Sequence, residues 1–137
     1  MDWEKCNKQK LVKEIKTDPE LVKSLIMQSN NKLYSSNLLE LDIRTAASKF
    51  ILVYDSLREL LEALAINKGY KIYNHDCYAS FLNEIVKDEN SAKIFDELRK
   101  IRNGINYYGN TISLKEGEAL IKQTKILINI VMKYLEK

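Results

Sequence analysis

Seven residues constrain the fold more than any other feature of the chain. Ile43, Ala47, Phe50, Tyr54, Leu57, Leu61 and Leu64 alternate steps of four and three, the apolar stripe of a long helix packed inside a bundle. The stripe predicts a helix that closes at Asn67-Lys68-Gly69. There Gly69 supplies the left-handed conformation, and Lys68 lies at the negative end of the helix dipole. Turn residues are too scarce for the competing all-β solutions: 4 Gly and 1 Pro in 137 residues cannot connect many short strands. With 45% hydrophobic and 30% charged residues, the chain carries enough apolar surface for one core and too much for a disordered segment. One domain, residues 1–137, is expected.

The remaining segments read as further helices. Asp2 to about Ile15 has good helix formers with apolar points at Trp3, Leu11, Val12 and Ile15, predicting a rather polar first helix. Thr17-Asp18-Pro19-Glu20 is a helix start, a capping oxygen before a proline whose missing N–H costs nothing in the first turn. The helix it opens should reach about Leu39, with a kink or break near Asn30 because Ser29-Asn30-Asn31 is poor helix sequence. After a linker at Tyr70 to Tyr73, Asn74 can cap a short helix carrying Tyr78, Phe81, Leu82, Ile85 and Val86. Ser91 then caps a fifth helix with the apolar line Ile94, Leu98, Ile101, Ile105 and Tyr108, stopped by Gly109-Asn110. Ser113 with Glu116 forms a capping box for a last helix, whose buried face should be Leu120, Thr124, Leu127, Val131 and Tyr134. The fold class that follows is all-α: an antiparallel up-down bundle of four main helices plus short extra ones.

Several function classes are disfavoured by composition. The formal charge of +3 is too near balance for a long-range field to announce nucleic acid, so any basic site must be local. The single histidine, His75, removes multi-histidine metal sites, and neither a metal nor another cofactor is expected. Cys6 and Cys77 show no paired spacing, which predicts two reduced thiols in a cytoplasmic protein. No apolar run approaches the roughly 18 residues of a membrane span, and the charged start Met1-Asp2-Trp3-Glu4-Lys5 lacks a signal peptide's apolar segment, so no membrane association is expected.

Chemistry concentrates at the end of the fifth helix. Arg99-Lys100-Ile101-Arg102-Asn103-Gly104-Ile105-Asn106-Tyr107-Tyr108-Gly109 sets two arginines, a lysine, two asparagines and two tyrosines beside one apolar line. Arg99, Asn103 and Asn106 share a side by steps of four and three, and Arg102 and Asn106 are four apart. Arg102 is therefore expected at the margin of the buried stripe. Its planar fork can hold a phosphate through two parallel charge-assisted hydrogen bonds.

The Arg102-Asn103 pair, with four residues between Arg102 and Tyr107, resembles the HEPN domain family, whose hallmark is arginine, four to six residues, then histidine. Lys68-Gly69-Tyr70-Lys71 and Asn74-His75-Asp76 are similar to the corresponding turns of archaeal and bacterial stand-alone HEPN proteins. The resemblance covers roughly Ala46 to Ser113. It implies a homodimer in which the arginine helices of two subunits face a shared cleft that binds nucleotide or RNA. Active members are metal-independent ribonucleases, often toxins neutralised by a minimal nucleotidyltransferase, and such an enzyme is a candidate partner. In those nucleases the histidine helps activate a ribose 2′-hydroxyl while the arginine steadies the phosphate.

This chain departs from the pattern at Tyr107, where the family's shortest motif has histidine. A tyrosine with an ordinary pKa of about 10 stays protonated at neutral pH and makes a poor general base. The expectation is thus a nucleotide- or RNA-binding protein with weak or no catalysis, and Arg102 and Tyr107 are the catalytic pair if it is active. Arg99, Arg102, Asn103, Asn106, Tyr107 and His75 are the candidate binding residues. Three of these also have a structural reading. Arg102 can pair with Asp96 or Glu97, Asn103 can bond to backbone, and His75 can be a capping or surface residue. Lys68, Lys71, Lys93 and Lys100 read as a positive rim or simply a solvated face. Phe50, Tyr54, Tyr108 and Tyr134 read as core.

Overall fold

The computed structural model describes residues 1–137. It is mostly helical, 73% of the chain, with six helices and only two short strands. The order is α1 (Trp3–Lys8), β1 (Val12–Glu14), α2 (Pro19–Leu38), α3 (Ala46–Asn67), β2 (Tyr70–Ile72), α4 (Asp76–Ser80), a π-helical turn (Phe81–Ile85), α5 (Glu89–Tyr108) and α6 (Leu114–Leu135). No helix is long and apolar enough to cross a membrane.

Local chemistry accounts for most boundaries. Asp18 accepts from the Leu21 amide (3.1 Å) ahead of Pro19, and Ser113 with Glu116 forms the expected capping box. Gly69 sits at φ +88° and closes α3 as expected. The cap of α5 is Asp88 rather than Ser91: its carboxylate accepts from the Ser91 amide (3.0 Å) and hydroxyl (2.7 Å). The Tyr134 hydroxyl donates to the same carboxylate (2.7 Å). Tyr134 is accordingly half-buried with its polar end engaged, not a core aromatic.

Helix α3 occupies the middle. Helix α2 runs antiparallel along it: Ser29 Oγ donates to the Ser56 carbonyl (2.9 Å), Ser56 Oγ donates to the Ser29 carbonyl (3.0 Å), and Ser36 Oγ donates to the Lys49 carbonyl (3.3 Å). These small side chains let the two backbones approach closely, and with the exchanged bonds α2 continues without a break through Ser29-Asn30-Asn31, where a kink or break was expected. Helix α6 runs alongside α3 in the same direction. Gly117 lies against Ala46 at one end, and Leu135 packs near Ala63 and Ile66 at the other. Between them Phe50, Tyr54, Leu57, Leu61, Tyr78, Phe81, Phe95 and Leu98 fill the core, all at most 1% exposed.

Four expectations are corrected. The first helix ends at Lys8; Lys10 turns the chain at φ +58°, and Val12–Glu14 pairs antiparallel with Tyr70–Ile72. Leu11, Val12 and Ile15 suit a strand as well as a helix, and the partner that decides between them is distant in sequence. Ile43 precedes α3 and is exposed rather than part of its stripe. Tyr108 is 81% exposed rather than core. Cys6 and Cys77 form a disulfide, with Cα atoms 6.1 Å apart. Packing of α1 across α4 brings them within the span such a bond needs, and that juxtaposition leaves no trace in the spacing.

Candidate functional site

The inward side of α5 keeps Leu98, Ile94 and Ile105 of the expected apolar line but is turned toward Phe95. Ser91, Ala92, Phe95 and Leu98 are buried, and the next position in that register is Arg102. Ile101 and Tyr108, taken as part of the line, face outward. Phe95 sets this rotation by stacking on Tyr54 of α3, with ring centroids 5.8 Å apart and planes inclined 18°. Arg102 thus projects toward the bundle interior, its side chain 17% exposed.

Three elements converge on it. Helix α3 contributes Tyr54, Asp55, Arg58 and Glu62; the start of α4 contributes His75, Asp76 and Tyr78; α5 contributes Arg99, Arg102 and Asn106. The arginines differ in how fully they are paired. Arg99 is locked: Nη2 lies 2.7 Å from Asp76 and 2.9 Å from Asp96, joining α4 to α5. Burial alone would push the Asp96 carboxyl up, but hydrogen bonds from Arg99 and Lys100 hold it below its usual range. Arg58 reaches Glu62 at 3.4 Å. Arg102 has only Asp55, at 3.9 Å, beyond hydrogen-bond distance. The rest of its surroundings are the Tyr54 ring, 5.7 Å from the guanidinium carbon, and Asn106. Oriented to complement the guanidinium, the Asn106 amide oxygen accepts from Nε at 3.1 Å and Nη2 at 3.3 Å.

Two more polar groups complete the cluster. The His75 imidazole is half-buried, and burial, reinforced by Arg58, Arg102 and Arg99, lowers its pKa to about 4. The ring is therefore neutral at pH 7, with one donor and one acceptor nitrogen. The Tyr54 hydroxyl is buried and has no hydrogen-bond partner. Burial drives its ionisation far above the ordinary range, against the pull of the same three guanidiniums.

Of the sequence candidates, Arg99, Arg102, Asn106 and His75 come together, and Asn103 is half-buried one turn along from Arg99. Tyr107 stands apart, 70% exposed at the end of α5. Lys93 pairs with Glu89 (3.2 Å) and Lys100 with Asp96 (3.1 Å), while Lys68 caps the C-terminus of α3 and Lys71 lies within β2. A concavity of about 740 Å³ adjoins the cluster, lined among others by Asp76, Lys93, Asp96, Arg99 and Lys100; it meets the cluster at Arg99 and Asp76 and does not include Arg102. Sequence reading missed Tyr54, Asp55, Arg58 and Asp76. The available signal was Tyr54 and Arg58 four apart on the helix of the main stripe, a polar continuation of an apolar face.

Comparison with family models, curated proteins and solved structures finds no match for this chain.

Proposed function

We propose that the chain is a HEPN-type homodimeric protein of the cytoplasm that binds nucleotide or RNA through a phosphate held at Arg102, with weak or no catalysis. The observation that carries this reading is the contrast between two neighbouring guanidiniums. Arg99 is doubly paired, whereas Arg102, in the same half-buried cluster, has no carboxylate within hydrogen-bond distance. An anion that displaces the Asn106 amide oxygen and the 3.9 Å Asp55 contact meets a fork of donors in a site of reduced solvent screening. The four long helices match that family's bundle in number, while the parallel packing of α3 and α6 departs from strict up-down neighbours. Ile101 and Tyr108, outward on α5, offer apolar surface to a second copy. The Cys6–Cys77 disulfide, fully buried, runs against the cytoplasmic part of this reading, since such bonds are rare in that compartment.

Arg102→Ala should weaken binding of AMP or a short RNA at low salt by about tenfold or more while leaving the melting temperature within a degree or two. Equal binding of wild type and variant in calorimetry would reject the reading. His75 favours a second reading, a metal-independent ribonuclease. In that reading the neutral imidazole, a weak base with a pKa of about 4, takes the ribose 2′-hydroxyl proton in place of Tyr107 while Arg102 holds the phosphate. Cleavage of cellular RNA that His75→Ala abolishes supports it; intact RNA at high protein concentration rejects it. A third, that the chain is the non-catalytic partner of a minimal nucleotidyltransferase, is tested by co-purification.

A further inference from the structure

The Tyr54 hydroxyl is the one donor in the arginine cluster that nothing in the chain explains. Its residue is 0% exposed and its oxygen has no partner. A buried hydroxyl without a hydrogen bond destabilises the fold, and phenylalanine fills the same space without that cost. The ring itself is well used, stacked on Phe95 and packed against Phe50. Packing therefore accounts for the aromatic ring and leaves the oxygen over.

The surroundings define what that oxygen can serve. Arg102 lies over the ring, Arg99 and Arg58 act on the phenol from the same two helices, and His75 faces the same guanidiniums. The phenol keeps its proton at any physiological pH and can donate it, and because Arg99 and Arg58 already have carboxylate partners, the donors left over are Arg102 and the phenol. Such a set suits an anion with several acceptor oxygens. Depth adds a second restriction. The guanidinium is mostly covered, the hydroxyl wholly so, and the concavity of about 740 Å³ reaches neither, so an anion touching both needs the neighbouring side chains to part and enters end-on. A phosphate monoester presents three terminal oxygens on a free end. An internal phosphodiester presents two, with chain leaving on both sides.

Resting on the Arg102 reading above, we infer that the site takes a terminal phosphate monoester, with Tyr54 Oη donating to its innermost oxygen and Arg102 gripping the outer ones. Tyr54 is then a binding residue, and the ligand class narrows to mononucleotides or the phosphorylated end of an RNA.

Calorimetric titration of the whole chain with inorganic phosphate, AMP and 3′,5′-linked uridylyl-uridine lacking an end phosphate tests this. Wild type should bind phosphate and AMP and bind the diester at least about tenfold more weakly. Tyr54→Phe should lose about tenfold in AMP affinity and melt at or above the wild-type temperature, since an unpaired buried hydroxyl has been removed. A phosphorylated uridine dinucleotide that binds like AMP identifies RNA ends as ligands; one that does not restricts the class to mononucleotides. If Arg102→Ala weakens AMP binding and Tyr54→Phe does not, the role given to Tyr54 is wrong and the Arg102 reading stands. If the diester binds as well as AMP, the preference for an end phosphate is wrong. If wild type binds none of the probes, both readings fall. A carbon-13 label at tyrosine Cζ gives a check in the unaltered chain: the Tyr54 resonance must shift on saturation with phosphate, and a static resonance overturns the assignment.

Discussion

Removing the Cys6–Cys77 crosslink should lower the melting temperature by about 15 °C at most. The bond closes a segment with a sequence separation of 71. In the chain-entropy description a loop of that length removes about 15 cal/mol/K from the unfolded ensemble, or about 4.4 kcal/mol at 25 °C, against a usual range of about 2–4 kcal/mol. Unfolding entropy scales as about 2.1 cal/mol/K per residue, so each kcal/mol moves the midpoint of a chain this long by about 3.5 °C. The reduced wild type is the cleanest comparison, because it keeps both sulfurs and loses only the bond. A Cys6→Ala, Cys77→Ala double variant adds a small cavity cost. Both cysteines are 0% exposed, which requires that reduction be carried out in denaturant before refolding. Circular dichroism melts of the oxidised and reduced forms give the shift, and thiol titration in guanidinium counts the bond. Two free thiols in the unreduced protein, or melts within about 3 °C of each other, would refute the reasoning.

Two further outcomes follow from single residues. His75 should titrate with a pKa of about 4 in the folded protein, and as the chain's one histidine its Hε1 resonance is unambiguous. The unfolded chain takes up this proton near pH 6.5. The contribution to stability is thus fully present above pH 6.5 and is lost as pH falls toward 4. Phosphate binding among Arg58, Arg99 and Arg102 should raise the value, and a pKa of 6 or more in the free protein would contradict the cluster's electrostatics. Gly69→Ala places a side chain at φ +88° with its Cβ 3.3 Å from the Ile15 carbonyl; it should cost about 1–2 kcal/mol, and an unchanged melt would show that the turn relaxes.

The long helices were legible because their signals are local. Pro19 after Asp18, Ser113 with Glu116, and Gly69 after Lys68 each act within a few residues. The stripe from Phe50 to Leu64 is one face of one helix. What the sequence concealed depends on distant partners. The strand Val12–Glu14 exists because Tyr70–Ile72 lies beside it. The disulfide exists because α1 crosses α4. The α5 line was misread because Ile101 and Tyr108 outrank Ser91 and Ala92 in hydrophobicity, while Tyr54 stacking on Phe95 turns the other side inward. The same rotation explains the candidate site. Arg102 could be singled out from its neighbours in the chain, but Arg58, Tyr54 and Asp76 join it only through packing.

Trp3, the single tryptophan, is wedged edge-on against Tyr70 at 5.2 Å between ring centroids and tilted against Phe81 at 6.0 Å. Its amide donates to Glu84 (2.7 Å). The chain therefore carries a built-in optical gauge: indole emission, excited selectively near its red edge, follows whether the leading helix stays seated on the strand pair and the π-turn. An engineered dye is unnecessary for watching that one joint open.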